Sequence, residues 1–191
     1  MAEKIQSSDI RIERVLLENQ PISESFSCNN EVLDAFFQKE ITSCIKHHYV
    51  TAYCVKHNQT DKVIGIFTLA NDCVTLMYDS EDFIEENINS FSEDYKLIFK
   101  EQSSYPAINI AHLAVDNNYR RQGIGKCIIE YIISTFIDFE IAGCQFITVD
   151  SINKPEINSF YSRMGFYNLS NTDSLSPTRR MYLNLAEYRD L

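Results

Sequence analysis

Tyr119-Arg120-Arg121-Gln122-Gly123-Ile124-Gly125-Lys126 is the stretch that decides the reading of this chain. Before it runs Ala107–Val115 (AINIAHLAV), an apolar segment of strand type. After it, Ile128, Ile129, Ile132, Ile133, Phe136 and Ile137 recur at helical spacing. The stretch is therefore a strand-to-helix turn with two glycines at the helix start. Glycines there remove side chains where a ligand could approach the backbone. The first helical turn leaves N–H groups unpaired, and the helix dipole there favours negative charge. With Arg120, Arg121 and Lys126 alongside, the turn reads as a small cradle for a pyrophosphate. The same residues also fit a plain glycine-containing turn with surface arginines. The spacing before Lys126 is wrong for G-x-x-x-x-G-K-[ST], and the third glycine of the dinucleotide fingerprint is missing, so ATP and NAD are poor fits.

Outward from this turn, residues 10–17 read as a first strand and residues 30–45 as a helix capped by Asn29 or Asn30. YVTAYCVK and KVIGIFTLA, separated by HNQTD, read as a hairpin. Residues 79–101 hold eight acidic residues and two lysines, net −6, and read as a helical insertion over 78–101. Such a run is ordinarily a solvated face, and it could also attract a cation. CQFITVD is a further strand, 155–164 a short helix, and 179–185 a last strand. The order predicts an α/β fold with a mixed sheet in a single domain spanning residues 1–191.

Two motifs in order resemble the GNAT N-acetyltransferase superfamily. His112–Gly125 looks like its acetyl-CoA motif, [QR]-x-x-G-x-[GA] after a strand, and Phe160-Tyr161-Ser162-Arg163-Met164-Gly165-Phe166 is similar to its F/L-Y-x-x-x-G-F signature. The resemblance covers about residues 10–186, with the acidic insertion least typical. It implies a GNAT-like mixed central sheet of six to seven strands flanked by helices, with the acidic helical insertion before the fourth strand. It also implies an acetyl-CoA-dependent N-acetyltransferase in which acetyl-CoA is the acyl-donor cosubstrate. Leu113, Ala114 and Val115 would meet the pantetheine arm, and the N–H groups of Arg121, Gln122, Gly123, Ile124, Gly125 and Lys126 would meet the pyrophosphate, with Arg120 and Arg121 adding charge. Asn153 and Asn158 match positions where the family often touches this cosubstrate. Tyr161 matches the general acid that protonates the departing thiolate, and its alternative is an aromatic packed behind Gly165-Phe166.

Where better-equipped family members carry a base, this chain has Asn109 and Ala111. His112 lies on the opposite strand face and reads as a packed structural histidine. A water relay toward Asp150 or an insertion residue is the expected route for the amine proton. Phe26–Phe37 resembles the opening of a GNAT subgroup that includes toxins acetylating aminoacyl-tRNA.

Composition shapes the expected partners. The net charge of −10 opposes a nucleic-acid partner, whose phosphates ask for a basic surface, and leaves tRNA to the toxin reading alone. The expected acceptor is then a small-molecule or peptide amine. A non-catalytic CoA-binding module is the remaining alternative, and a homodimer is open. Six scattered cysteines and four histidines show no metal-ligand spacing, so no metal is expected. No apolar run is long enough to span a membrane, and MAEKIQSSDIRIER lacks a secretory layout, so the expected location is the cytoplasm.

Overall fold

The computed structural model describes residues 5–17, 25–76 and 81–189. The start of the expected insertion, residues 78–80, and the first four residues of the N-terminal segment lie outside them. Seven strands form one mixed sheet in the order β1-β2-β3-β4-β5-β7-β6. They are β1 Ile10–Arg14, β2 Thr51–His57, β3 Val63–Thr75, β4 Ser104–Val115, β5 Phe146–Ile152, β6 Tyr167–Asn168 and β7 Thr178–Asn184. The helices are α1 Glu31–Ala35, α2 Ile41–Lys46, α3 Glu81–Ile88, α4 Glu93–Glu101, α5 Ile124–Phe136 and α6 Pro155–Arg163. The mixed sheet of six to seven strands expected from the sequence thus has seven.

The chain divides into two compact units. The first comprises residues 1–70 and 110–131, and the second residues 71–109 and 132–191. In the first unit, β1 and β2 pair antiparallel from Ile10↔His57 to Arg14↔Tyr53, and β2 pairs antiparallel with β3. Residues 63–69 of β3 are buried without interruption, because both faces of that stretch are covered. Asn30 caps α1, its side-chain oxygen accepting from the N–H groups of Val32 and Leu33 at 3.1 and 3.2 Å. The single helix expected over 30–45 instead passes through a π-helical turn, Phe36–Glu40, between α1 and α2. That turn buries Phe36 and Phe37 side by side in a core with Phe26, Ile41, Ile66 and Ala114.

In the second unit, Phe83, Phe99, Tyr105, Phe146 and Tyr182 form an aromatic core. The acidic insertion folds as two helices, α3 and α4, whose inward faces supply Phe83 and Phe99. The β4–β5 ladder is parallel and covers Ala107–Asn109, while β5 pairs antiparallel with β7 from Phe146↔Asn184 to Ile152↔Thr178. β3 extends to Thr75, beyond the apolar run read from sequence. From Ala70 onward its burial alternates, and the polar residues Asn71 and Asp72 hide that stretch from an apolar criterion.

Candidate functional site

In the first unit, Asp116 anchors the turn after β4. It is almost wholly buried, and its carboxylate accepts from the Asn118 N–H and side-chain amide at 3.0 and 3.1 Å. The backbone ties the turn down further, Asp116 N–H to the Ile64 carbonyl and Asn117 N–H to the Ser27 carbonyl, both at 2.9 Å. Arg120 donates to the Cys28 carbonyl. Cys28 N–H in turn donates to Asp34 at 2.8 Å, so Arg120 braces the segment that leads into α1.

The turn then crosses two unusual backbone conformations. Arg121 has φ of 59° and Gly123 has φ of 97°. For arginine this left-handed region is unfavourable, and such positions concentrate where a ligand is held. Gly123 needs its freedom of φ and not space, since a Cβ there would meet only ordinary contact at 3.6 Å. α5 begins at once, Cys127 N–H reaching the Gly123 carbonyl at 3.1 Å. The N–H groups of Ile124, Gly125 and Lys126 precede any helical acceptor. Arg121 and Lys126 are exposed beside them, and Lys126 makes only an open 3.4 Å pair with Glu130. A diphosphate fits this set of donors and cations. Upstream, Leu113 and Val115 are half-buried and Ala114 is packed in the core, in the part of β4 that runs past its ladder with β5.

His112 is not available as a base of ordinary strength. Its Nδ1 shares a 2.8 Å hydrogen bond with the buried Thr68 hydroxyl, and its ring stacks on Phe36 with centroids 3.7 Å apart. Burial lowers its pKa and favours the neutral ring.

The second unit holds Tyr161, Asn153 and Asn158. Tyr161 lies on α6, 6% exposed, with Phe160 and Phe166 against its ring at 5.1 and 5.4 Å. Its hydroxyl has no hydrogen-bond partner among the described residues, and burial alone pushes its pKa up, which keeps the phenol protonated. The amides of Asn153 and Asn158 are engaged within the protein. Asn153 donates to the Ser174 and Ser176 carbonyls at 2.9 and 2.8 Å, and Asn158 donates to Asn153 at 2.9 Å. They tie the 174–176 loop to the start of α6.

The sequence reading missed a polar chain in this unit. Asn109 donates to the Thr148 hydroxyl at 3.1 Å, and that hydroxyl donates to Asp72. Arg180 bridges Asp72 and Asp150, the second contact at 2.9 Å. Asp150, expected at the end of a relay, is thus an ion-pair partner. Strand parity was the available signal for Asp72, but no motif marks that position.

Residues 49–168 match the family model described as an acetyltransferase (GNAT) domain. No curated protein matches the sequence. Among solved structures, a KacT point mutant is similar with a TM-score of 0.72 and 16% identity, over 94% of this chain and 96% of that one. AtaT complexed with acetyl-methionyl-tRNAfMet is similar with a TM-score of 0.72 and 17% identity, over 94% and 97%. AtaTR bound with acetyl-CoA follows at 0.68 and 16%, over 94% and 96%. At such identities the likeness is one of fold.

One expectation is overturned. Net charge set nucleic acid aside and pointed to a small-molecule or peptide amine as partner. A protein similar in fold is solved with a tRNA, so a nucleic-acid partner is not set aside for this architecture. Affinity for phosphates depends on the local surface that meets them and not on the sum over the chain. No helix among the described residues is long and apolar enough to cross a membrane.

Proposed function

This chain belongs to the acetyltransferase (GNAT) domain family and is an acetyl-CoA-dependent acetyltransferase, and from that premise we propose that it acetylates a primary amine by direct attack. Acetyl-CoA supplies an activated acetyl group as a thioester. The observation that carries the assignment of the donor site is the turn at Arg121–Lys126, with its left-handed arginine, helical N–H groups that precede any acceptor within the helix, and exposed cations.

In this reading the N–H groups of Arg121 through Lys126 hold the pyrophosphate, and Leu113–Val115 offer backbone groups to the pantetheine arm. Arg120 acts as a brace for the turn through Cys28 as well as adding positive charge. The amine lone pair forms the new C–N bond as the C–S bond breaks. Tyr161 gives its phenolic proton to the sulfur, and the surplus proton of the amine passes to water. Burial keeps the phenol protonated, so it has a proton to offer the sulfur, and its hydroxyl has no hydrogen-bond partner among the described residues. The unmatched position at Asn109 means that the acceptor amine must lose its first proton without a side-chain base on β4.

A second reading specifies the acceptor: the amine of an aminoacyl-tRNA, modified as a toxin would modify it. The solved complex of AtaT with acetyl-methionyl-tRNAfMet favours it, as does the resemblance at Phe26–Phe37. Incubation with radiolabelled acetyl-CoA and a pool of charged tRNA tests it. Label that remains with the RNA at neutral pH, and leaves with the aminoacyl ester in mild base, supports this reading. An unlabelled pool, alongside thiol release with another amine, rejects it.

A further inference from the structure

We propose that the cavity between α3 and the β6–β7 edge is a binding site for an organic cation of the alkylguanidinium or alkylammonium type. It is an open groove of about 380 Å³, within the size range of small-ligand pockets, and Asp82 and Glu86 are exposed on its wall. None of its residues belongs to the donor cradle or to the surroundings of Tyr161, so it does not depend on the assignment of the acceptor.

Its chemistry is one-sided. Asp82 and Glu86 line it from α3, with the rings of Phe83, Tyr167 and Tyr182 beside them, and no lysine or arginine lines it. The carboxylates are four residues apart on one helix, so they share a face and repel each other. Neither has an ion-pair partner among the described residues. The helix dipole eases Asp82 in the first turn but does not reach Glu86. Yet Glu86 is held in place. The hydroxyl of Tyr182, itself 1% exposed, donates to Glu86 Oε2 at 2.8 Å and accepts from Asn87 at 3.0 Å. That leaves Oε1 for another donor.

Phe83 and Tyr182 stand 4.9 Å apart, and Tyr167 lies 6.0 Å from Tyr182 and is half exposed. Carboxylates beside tyrosine rings are the surroundings in which a cation gains both charge pairing and the π-face attraction. An anion would meet repulsion from both carboxylates. A neutral ligand would leave their mutual repulsion in place. The loop at Ser170–Thr172 completes the lining with hydroxyl and amide groups, which accept hydrogen bonds from the extra donors of a guanidinium.

The cation could arrive as a free small molecule or as an arginine or lysine side chain of a partner polypeptide. Calorimetric titration of the full chain separates these, with n-butylguanidinium, its neutral isostere n-butylurea, and a short arginine-containing peptide as probes. The variants are Glu86→Gln, which keeps an acceptor for Tyr182, and Tyr167→Leu at the exposed ring, both checked for folding by circular dichroism. We expect a guanidinium probe to bind the wild type, with at least tenfold loss in each variant, and n-butylurea not to bind. Tighter binding of the peptide than of n-butylguanidinium indicates a polypeptide side chain, and the reverse order a free cation. Absence of binding by both guanidinium probes, or binding unchanged in Glu86→Gln, overturns the proposal.

Discussion

At the scale of single residues, three side chains carry opposed demands of stability and function. Arg121 holds a backbone conformation that costs an L-residue roughly 1–2 kcal/mol. Arg121→Gly should therefore raise the melting temperature by a few degrees while weakening acetyl-CoA binding several-fold, measured by thermal melts and calorimetry on the same samples. A residue retained for turn geometry alone would lose nothing in binding. His112 makes a pH prediction. Its folded pKa lies below the ordinary value of about 6.5, so below that pH the unfolded chain binds the proton more readily than the folded one. Its contribution to stability is fully present above about pH 6.5 and is lost as the pH falls through the folded value. The urea midpoint of the wild type should fall between pH 7.5 and 5.5, and by less in His112→Gln, which keeps a polar partner for Thr68. Tyr161 shows the third case, a buried phenol whose packing is plain and whose hydroxyl has no described partner.

At the scale of elements, the junctions decide. Gly165 closes α6 with φ of 87°, and a Cβ there would overlap the Tyr188 hydroxyl. Gly165→Ala should cost about 2 kcal/mol or more in chemical denaturation, from strain and displacement of Tyr188 together. Asn30→Ala, which removes the cap of α1, should cost about 1 kcal/mol. Asp72→Ala leaves the Thr148 hydroxyl without its carboxylate and Arg180 with Asp150 alone, and should cost about 1–3 kcal/mol. What sequence could show follows the same division. β4 and α5 were legible because their apolar spacing is unambiguous, and the turn between them because two glycines fall at one helix start. The π-helical turn was not, since Phe36 and Phe37 fit an α-helical stripe as well as a bulged one. β6 has two residues and carries no period. The chain Asn109–Thr148–Asp72–Arg180 joins four strands, and only folding brings those positions together.

At the scale of the whole molecule, a net charge of −10 invited the exclusion of nucleic acid, and the likeness to a tRNA-bound protein removed that exclusion. Charge that is concentrated in 79–101 says little about the surface elsewhere. In the proposed reaction Tyr161 is the acid that serves acetyl transfer. Thiol release from acetyl-CoA, measured with charged tRNA and other amine acceptors, tests it most directly when wild type and Tyr161→Phe are compared at matched cosubstrate occupancy. Expected are turnover with a primary amine, a fall in kcat of about 10²-fold or more in the variant, and acetyl-CoA affinity within about twofold. Equal turnover in the two proteins, or equal loss of kcat and of binding, would contradict it.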